Sequence, residues 1–155
     1  MSPEIATLLT SMLPISELRG AIPVAVLVYN MSLWSAFLFS VLGNLIPVIF
    51  IIWILDLLIN KILIHRIYIF NRFFTWLFEK TRKRHSKKFE RWRDLALVIL
   101  VAIPLPFTGA WTGALAAFVF GIPIKRAFPL IALGVLIAGI IVTSITIGII
   151  NLPVL

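Results

Sequence analysis

The apolar and polar positions of this chain alternate on the scale of a membrane thickness rather than of a helical turn. Four apolar runs stand out, at 3–30, 33–59, 95–121 and 128–150, and a stretch dense in Lys and Arg separates the second from the third. A bilayer crossing takes about 20 apolar residues at a rise of 1.5 Å each, so every run is long enough to cross. Two of the four are broken at their centres. The first holds Pro14 and Pro23 with Glu17 and Arg19 between them, and residues 5–29 carry no other formal charge; the third holds Pro104, Pro106, Thr108, Gly109, Thr112 and Gly113. Proline removes a backbone donor and interrupts the helical ladder, so each broken run predicts two short arms joined by a polar turn. In the first, Ser2 is the expected N-cap, one arm runs to about Met12 and the other from Gly20 to Val28. The runs 33–59 and 128–150 are unbroken enough to predict full crossings, with Gly43, Asn44 and Pro47 inside one and Gly134, Gly139 and Gly148 as close-packing positions in the other. Thr143, Ser144 and Thr146 are expected to satisfy their hydroxyls on the helix backbone.

The order broken run, full span occurs twice. An offset of 90 residues places Pro14 on Pro104, and an offset of 91 pairs eight identical residues between positions 34 and 54 and their counterparts, among them Phe37 with Phe128, Gly43 with Gly134 and Ile54 with Ile145. Charge then decides the topology. Residues 61–94 hold eleven of the fourteen basic side chains, and Lys125 and Arg126 follow the third run. If all four runs crossed, these two basic regions would face opposite sides; if the broken runs re-enter, both face the cytoplasm, as the positive-inside rule prefers. The expected fold is therefore an all-α integral membrane protein, an inverted repeat of two re-entrant helical hairpins and two full transmembrane helices. It forms a single membrane domain over 1–155, with 1–59 as first repeat, 95–155 as second, and a basic amphipathic interfacial helix at 60–94. In that segment Lys61, His65, Tyr68, Arg72, Thr75 and Glu79 recur at helical spacing against an aromatic face, the pattern of a helix lying among lipid headgroups.

Composition narrows the class. The 155 residues are 61% hydrophobic and 13% charged, with a mean hydropathy of +1.11, which excludes an ordinary soluble domain. The formal net charge of +8 is read as a cytoplasmic face that meets anionic lipid, not as a nucleic-acid surface. The N-terminus has an acid and no base ahead of its apolar run, so it is expected to be mature protein rather than a cleavable signal. With no cysteine and only His65 and His85, no metal centre or other cofactor is expected. No nucleophile, base and orienting group stand at recognisable spacing, so the chain is not expected to be an enzyme.

What chemistry there is gathers at the broken centres. An ionised side chain at the middle of a bilayer costs about 2.5–3.5 kcal/mol on insertion scales, so Glu17 and Arg19 are expected to face a cavity or each other. Arg19 offers a fork suited to phosphate or carboxylate, and Glu17 is a candidate proton-exchanging group; a fixed ion pair holding the turn together is the other reading. Thr108, Gly109, Thr112 and Gly113 leave backbone donors at a half-helix N-terminus open to a ligand, or serve close packing. Trp111, Asn44, Pro104 and Pro106 complete the candidate substrate-binding or proton-coupling set, with interhelical bonding the other role for Asn44.

The stretches LPISELRGAIP and AIPLPFTGAWTGALAAFVFG resemble the two signature segments of the putative small multidrug export protein family, itself related to the DedA and VTT-domain superfamily. The likeness covers nearly the whole chain. It implies paired re-entrant hairpins, homodimers, translocation of lipids of the polyprenyl-phosphate or phospholipid type, and essential charged residues at Glu17 and Arg19. DedA proteins carry an arginine near the second hairpin, and 104–113 has none. Two functions are thus expected: translocation of an anionic lipid or amphiphile, with Arg19 as anchor and Glu17 as proton site, or proton-coupled export of lipophilic cations, with Glu17 binding the cargo. The location expected is a prokaryotic inner membrane, with 60–94 cytoplasmic.

Overall fold

The computed structural model describes residues 1–57, 87–105 and 108–151. These form six α-helices: α1 (Pro3–Met12), α2 (Glu17–Leu27), α3 (Leu33–Leu57), α4 (Lys87–Ala102), α5 (Ala110–Val119) and α6 (Ile124–Ile150). At 1.5 Å per residue α1, α2 and α5 are about 15 Å long, half a bilayer core, whereas α3 and α6 reach about 37–40 Å. The two long helices are apolar enough to cross a membrane, and many of their large side chains, such as Phe50, Trp53, Ile140 and Ile145, point away from the protein. The interfacial helix expected from residue 60 lies mostly outside the described residues. Its last part, from Lys87, is helical and continuous with the first arm of the second hairpin, so α4 is basic at its start and apolar at its end.

Proline sets where the short arms stop. Leu13, ahead of Pro14, is extended at φ −73° and ψ 138°, the conformation that a following proline ring enforces, and α1 ends there. In the second half α4 ends at Ala102, just before Ile103 and Pro104. Pro23 does not break its helix as expected: α2 runs through it, leaving the Arg19 carbonyl without its ladder donor. The second arm also begins earlier than expected. Glu17 and Arg19 are the first turn of α2, not an open turn between arms.

Contacts along the helices give the course of the chain. Thr7 Oγ1 lies 3.3 Å from Met31 Sδ, just ahead of α3, and Ser11 lies against Gly43 near the middle of α3. So α1 runs alongside the first half of α3 in the same direction, and α2 returns packed against both. The second half repeats this. Arg126, at the start of α6, pairs with Glu90 at 3.1 Å and Asp94 at 2.7 Å on α4, while Val98 and Val101 lie against Gly134 near the middle of α6. Each hairpin tip therefore stops half-way along its long neighbour.

The two halves share their packing in detail. Every helix pair in substantial contact has its counterpart when α1, α2 and α3 are exchanged with α4, α5 and α6, including the cross-half pairs α2 with α6 and α5 with α3. The close approaches match as well. A Cβ on Gly43 would lie 2.0 Å from Ser11 Oγ and 2.4 Å from the Leu8 carbonyl oxygen, and one on Gly134 would lie 2.6 Å from Val101 Cβ and 3.0 Å from the Val98 carbonyl oxygen. Leu8 and Ser11 correspond to Val98 and Val101 at the offset of 90 seen between Pro14 and Pro104. Small residues let helix backbones approach in this way where lipid offers no hydrophobic drive to associate.

Gly43→Ala is expected to push α1 away from α3 and cost about 1–3 kcal/mol. Gly148→Ala, whose Cβ would meet nothing within 4 Å, is expected to leave thermal unfolding in detergent unchanged.

Candidate functional site

The hairpin tips meet, and each supplies what the other's helix ends lack. Helix ends leave up to four carbonyls and four N–H groups unpaired, and inside a protein other groups must take them. Arg19, from α2, donates through Nη1 to the Leu105 carbonyl and through Nη2 to the Thr108 carbonyl, with a further bond to Thr108 Oγ1 at 3.1 Å. It thus gathers the carbonyls of the loop that follows α4. Thr108 folds that loop: its Oγ1 lies 2.8 Å from both the Ile103 and the Leu105 carbonyl oxygens and shares its one proton between them.

Glu17 answers at the other polarity. Its backbone is left-handed at φ 45°, a conformation that costs a non-glycine residue about 1–2 kcal/mol. Its carboxylate is buried against the N-terminus of α5, where Gly109 has φ 135°. A Cβ on Gly109 would sit 2.0 Å from Glu17 Oε2, so only glycine fits, both for its φ and for the carboxylate beside it. The Trp111 N–H points to Oε1 at 3.5 Å, a long contact, and the negative charge faces the positive end of the helix dipole. Gly109, the N-cap of α5, has no side chain to offer, and among the described residues it is Glu17 of the first half whose carboxylate faces that helix start.

Trp111 closes the exchange in the opposite direction. Its indole Nε1 donates to the carbonyl of Met12, the last residue of α1, at 3.2 Å. Glu17 and Arg19 approach each other only to 3.7 Å, so the pair is looser than the bonds each makes across the tips. The geometry brings together Glu17, Arg19, Pro104, Thr108, Gly109 and Trp111. Thr112 donates to its own Gly109 carbonyl at 3.2 Å, and Gly113 serves packing, since its Cβ would lie 2.4 Å from Val101 Cγ2. Asn44 is buried on α3 with Oδ1 unpartnered, and among the described residues it makes no bond to the tips. Pro106 lies outside the described residues.

Sequence reasoning missed the Met12, Leu105 and Thr108 carbonyls, for which no side-chain signal exists. It also missed Ser16, which donates to the Thr10 carbonyl at 2.5 Å and steers the chain into Glu17.

Fold and site define a small helical membrane protein with a charged centre built from the ends of discontinuous helices. The chain belongs to the small multidrug export family: the family model described as "Putative small multi-drug export protein" matches residues 17–141, from Glu17 through most of α6. No curated protein and no solved structure matches the chain.

Gly109→Ala is expected to lower stability by about 1–3 kcal/mol by displacing the Glu17 carboxylate. Glu17→Ala should recover part of that loss in the double variant, leaving the φ penalty; a thermal-unfolding cycle measures the coupling.

Proposed function

We propose that this protein exports lipophilic cations in exchange for protons, with Glu17 as the group that binds one or the other. The observation that carries this is the division of labour at the tips. Arg19 spends its Nη donors on the carbonyls of the second tip, whereas the Glu17 carboxylate faces the backbone N–H groups of Ala110 and Trp111, the latter at 3.5 Å, and stands 3.7 Å from Arg19. The carboxylate is the charge with acceptor capacity to spare, and the family name agrees with a drug cargo. Transport, not catalysis, is the activity this arrangement serves.

In this reading both hairpins re-enter and the halves are inverted, so that their tips meet near the bilayer midplane, as in secondary transporters built from broken helices. Arms of about 15 Å that stop half-way along a span support it, as does the exchange symmetry of the packing. The basic residues then face the cytoplasm of a prokaryotic inner membrane and meet anionic lipid, and two copies associate through apolar faces. Single-cysteine labelling in this cysteine-free chain tests the topology. Position 30 should react from outside and position 125 from inside; a position 125 labelled only from outside would overturn it.

A second reading, translocation of an anionic lipid as in the DedA superfamily, is favoured by the Arg19 Nε, which is buried without a partner. Flux and binding in proteoliposomes separate the two. For cation export, Glu17→Gln abolishes binding and pH-driven flux of a lipophilic cation, while Arg19→Lys mainly loosens the fold by losing the fork to Leu105 and Thr108. An Arg19→Ala variant that folds but loses polyprenyl-phosphate flux, with cation binding absent in the wild type, would favour the lipid.

A further inference from the structure

The two halves pack alike but differ along one seam. Between α1 and α3, Thr7 and Ser11 stand one helical turn apart on α1, and Ser40 and Asn44 flank Gly43 on one face of α3, with Ser11 directly against Gly43. All four are between 0 and 1% exposed. The corresponding residues between α4 and α6, at the same offsets of 90 and 91, are Leu97, Val101, Ile131 and Val135, also between 0 and 1% exposed. One seam is polar and its counterpart is dry hydrocarbon at equal burial.

Packing does not require the polar version, since the protein builds the apolar one itself. Nor are the polar groups satisfied. Thr7 and Ser11 donate to the Pro3 and Leu8 carbonyls of their own helix, which leaves their acceptor capacity open. Ser40 Oγ and Asn44 Oδ1 have no partner. Pro47 adds to these by removing the donor for the Gly43 carbonyl in the same turn of α3. Buried oxygens without partners hold water when the pocket offers several polar groups, and side chains one turn apart stand about 5–6 Å from each other, a gap that one water spans. The line continues through Thr10 and Ser16, whose hydroxyls donate to the Ala6 and Thr10 carbonyls, to the next residue, Glu17.

We infer that the α1–α3 seam holds a file of water molecules that links the end of the protein where α1 and α3 begin with the Glu17 carboxylate. The inference rests on proton exchange at Glu17 and names its route. Each hop along the file breaks one O–H bond and forms another, so a proton given up by bulk water at one end is taken up by the carboxylate at the other. Among the described residues Arg19, at 3.7 Å, is the charged group beside that carboxylate; the second hairpin faces it with backbone N–H groups. The apolar seam of the second half gives no such route, so access to Glu17 is one-sided in this conformation.

The second half supplies the test residues. Thr7→Leu, Ser11→Val, Ser40→Ile and Asn44→Val together write the dry seam into the first half, with Gly43 retained. In proteoliposomes with a trapped pH dye, proton uptake driven by a pH gradient should fall at least tenfold, with the unfolding temperature unchanged or raised. Asn44→Val alone should cause a smaller fall. Water-edited solid-state NMR of the wild type reads the file without any variant, and the Asn44 side-chain amide should exchange magnetisation with water. A dry Asn44 in the wild type, or a converted seam that passes protons at the wild-type rate, would overturn the inference. A wet Asn44 in a protein that takes up no protons would keep the water file and remove proton exchange at Glu17, so the two readings fail separately.

Discussion

A helix that ends inside a protein leaves carbonyls and N–H groups that need partners, and here four helix ends, those of α1 and α4 and the starts of α2 and α5, come together at the two tips. The penalty for an unpaired backbone group in hydrocarbon is several kcal/mol, which no arm of ten residues recovers by itself. The solution is reciprocal. Arg19 of the first hairpin takes the carbonyls after α4, Glu17 takes the N-terminus of α5, and Trp111 of the second hairpin takes the carbonyl at the end of α1. Neither hairpin is satisfied without the other, so the charged pair is a structural need before it is a functional one. The left-handed backbone at Glu17 and the glycine at 109 are consequences of that fit.

Opposite charges at a membrane centre are usually read as a pair that neutralises itself. Here each charge is instead matched to a helix end of opposite sign, and the two lie 3.7 Å apart. In the proposed export cycle, a ligand or proton that satisfies Glu17 weakens one cross-tip link and leaves the Arg19 links standing. Conformational change in transporters needs an element of this kind, one whose two arrangements differ in which site is satisfied.

Symmetry gives the frame and its violations carry the chemistry. Gly43 and Gly134, Leu13 and Ile103 before their prolines, and the exchangeable helix contacts are the same features met in both halves. The departures are few. The charges sit on the first tip only, the Arg126 cluster with Glu90 and Asp94 fastens the base of the second hairpin only, and the polar seam runs through the first half only. Two identical halves would offer the same chemistry at both tips and along both seams; these differences break that equivalence.

Much of the frame was legible in the residues. Hydropathy and length marked two spans, since burial in lipid demands long unbroken apolar helices. Pro14 and Pro104 marked where arms stop, because the constraint on the preceding residue is local and needs no tertiary context. The offset between Gly43 and Gly134 marked two positions of close helix approach, and Glu17, Arg19, Gly109 and Trp111 stood out as charge, conformational freedom and polarity in an apolar setting. Pro23 misled, because a proline inside a helix costs one bond that neighbouring packing can offset. What only the folded chain decided was partnership. The acceptors for Arg19 and Trp111 are backbone carbonyls, which every residue has and no sequence distinguishes, and they lie 86 to 99 residues away. That Thr7, Ser11, Ser40 and Asn44 form one seam emerged only when α1 and α3 were placed side by side, for periodicity fixes the face a residue occupies on its own helix and says nothing of which helix meets it.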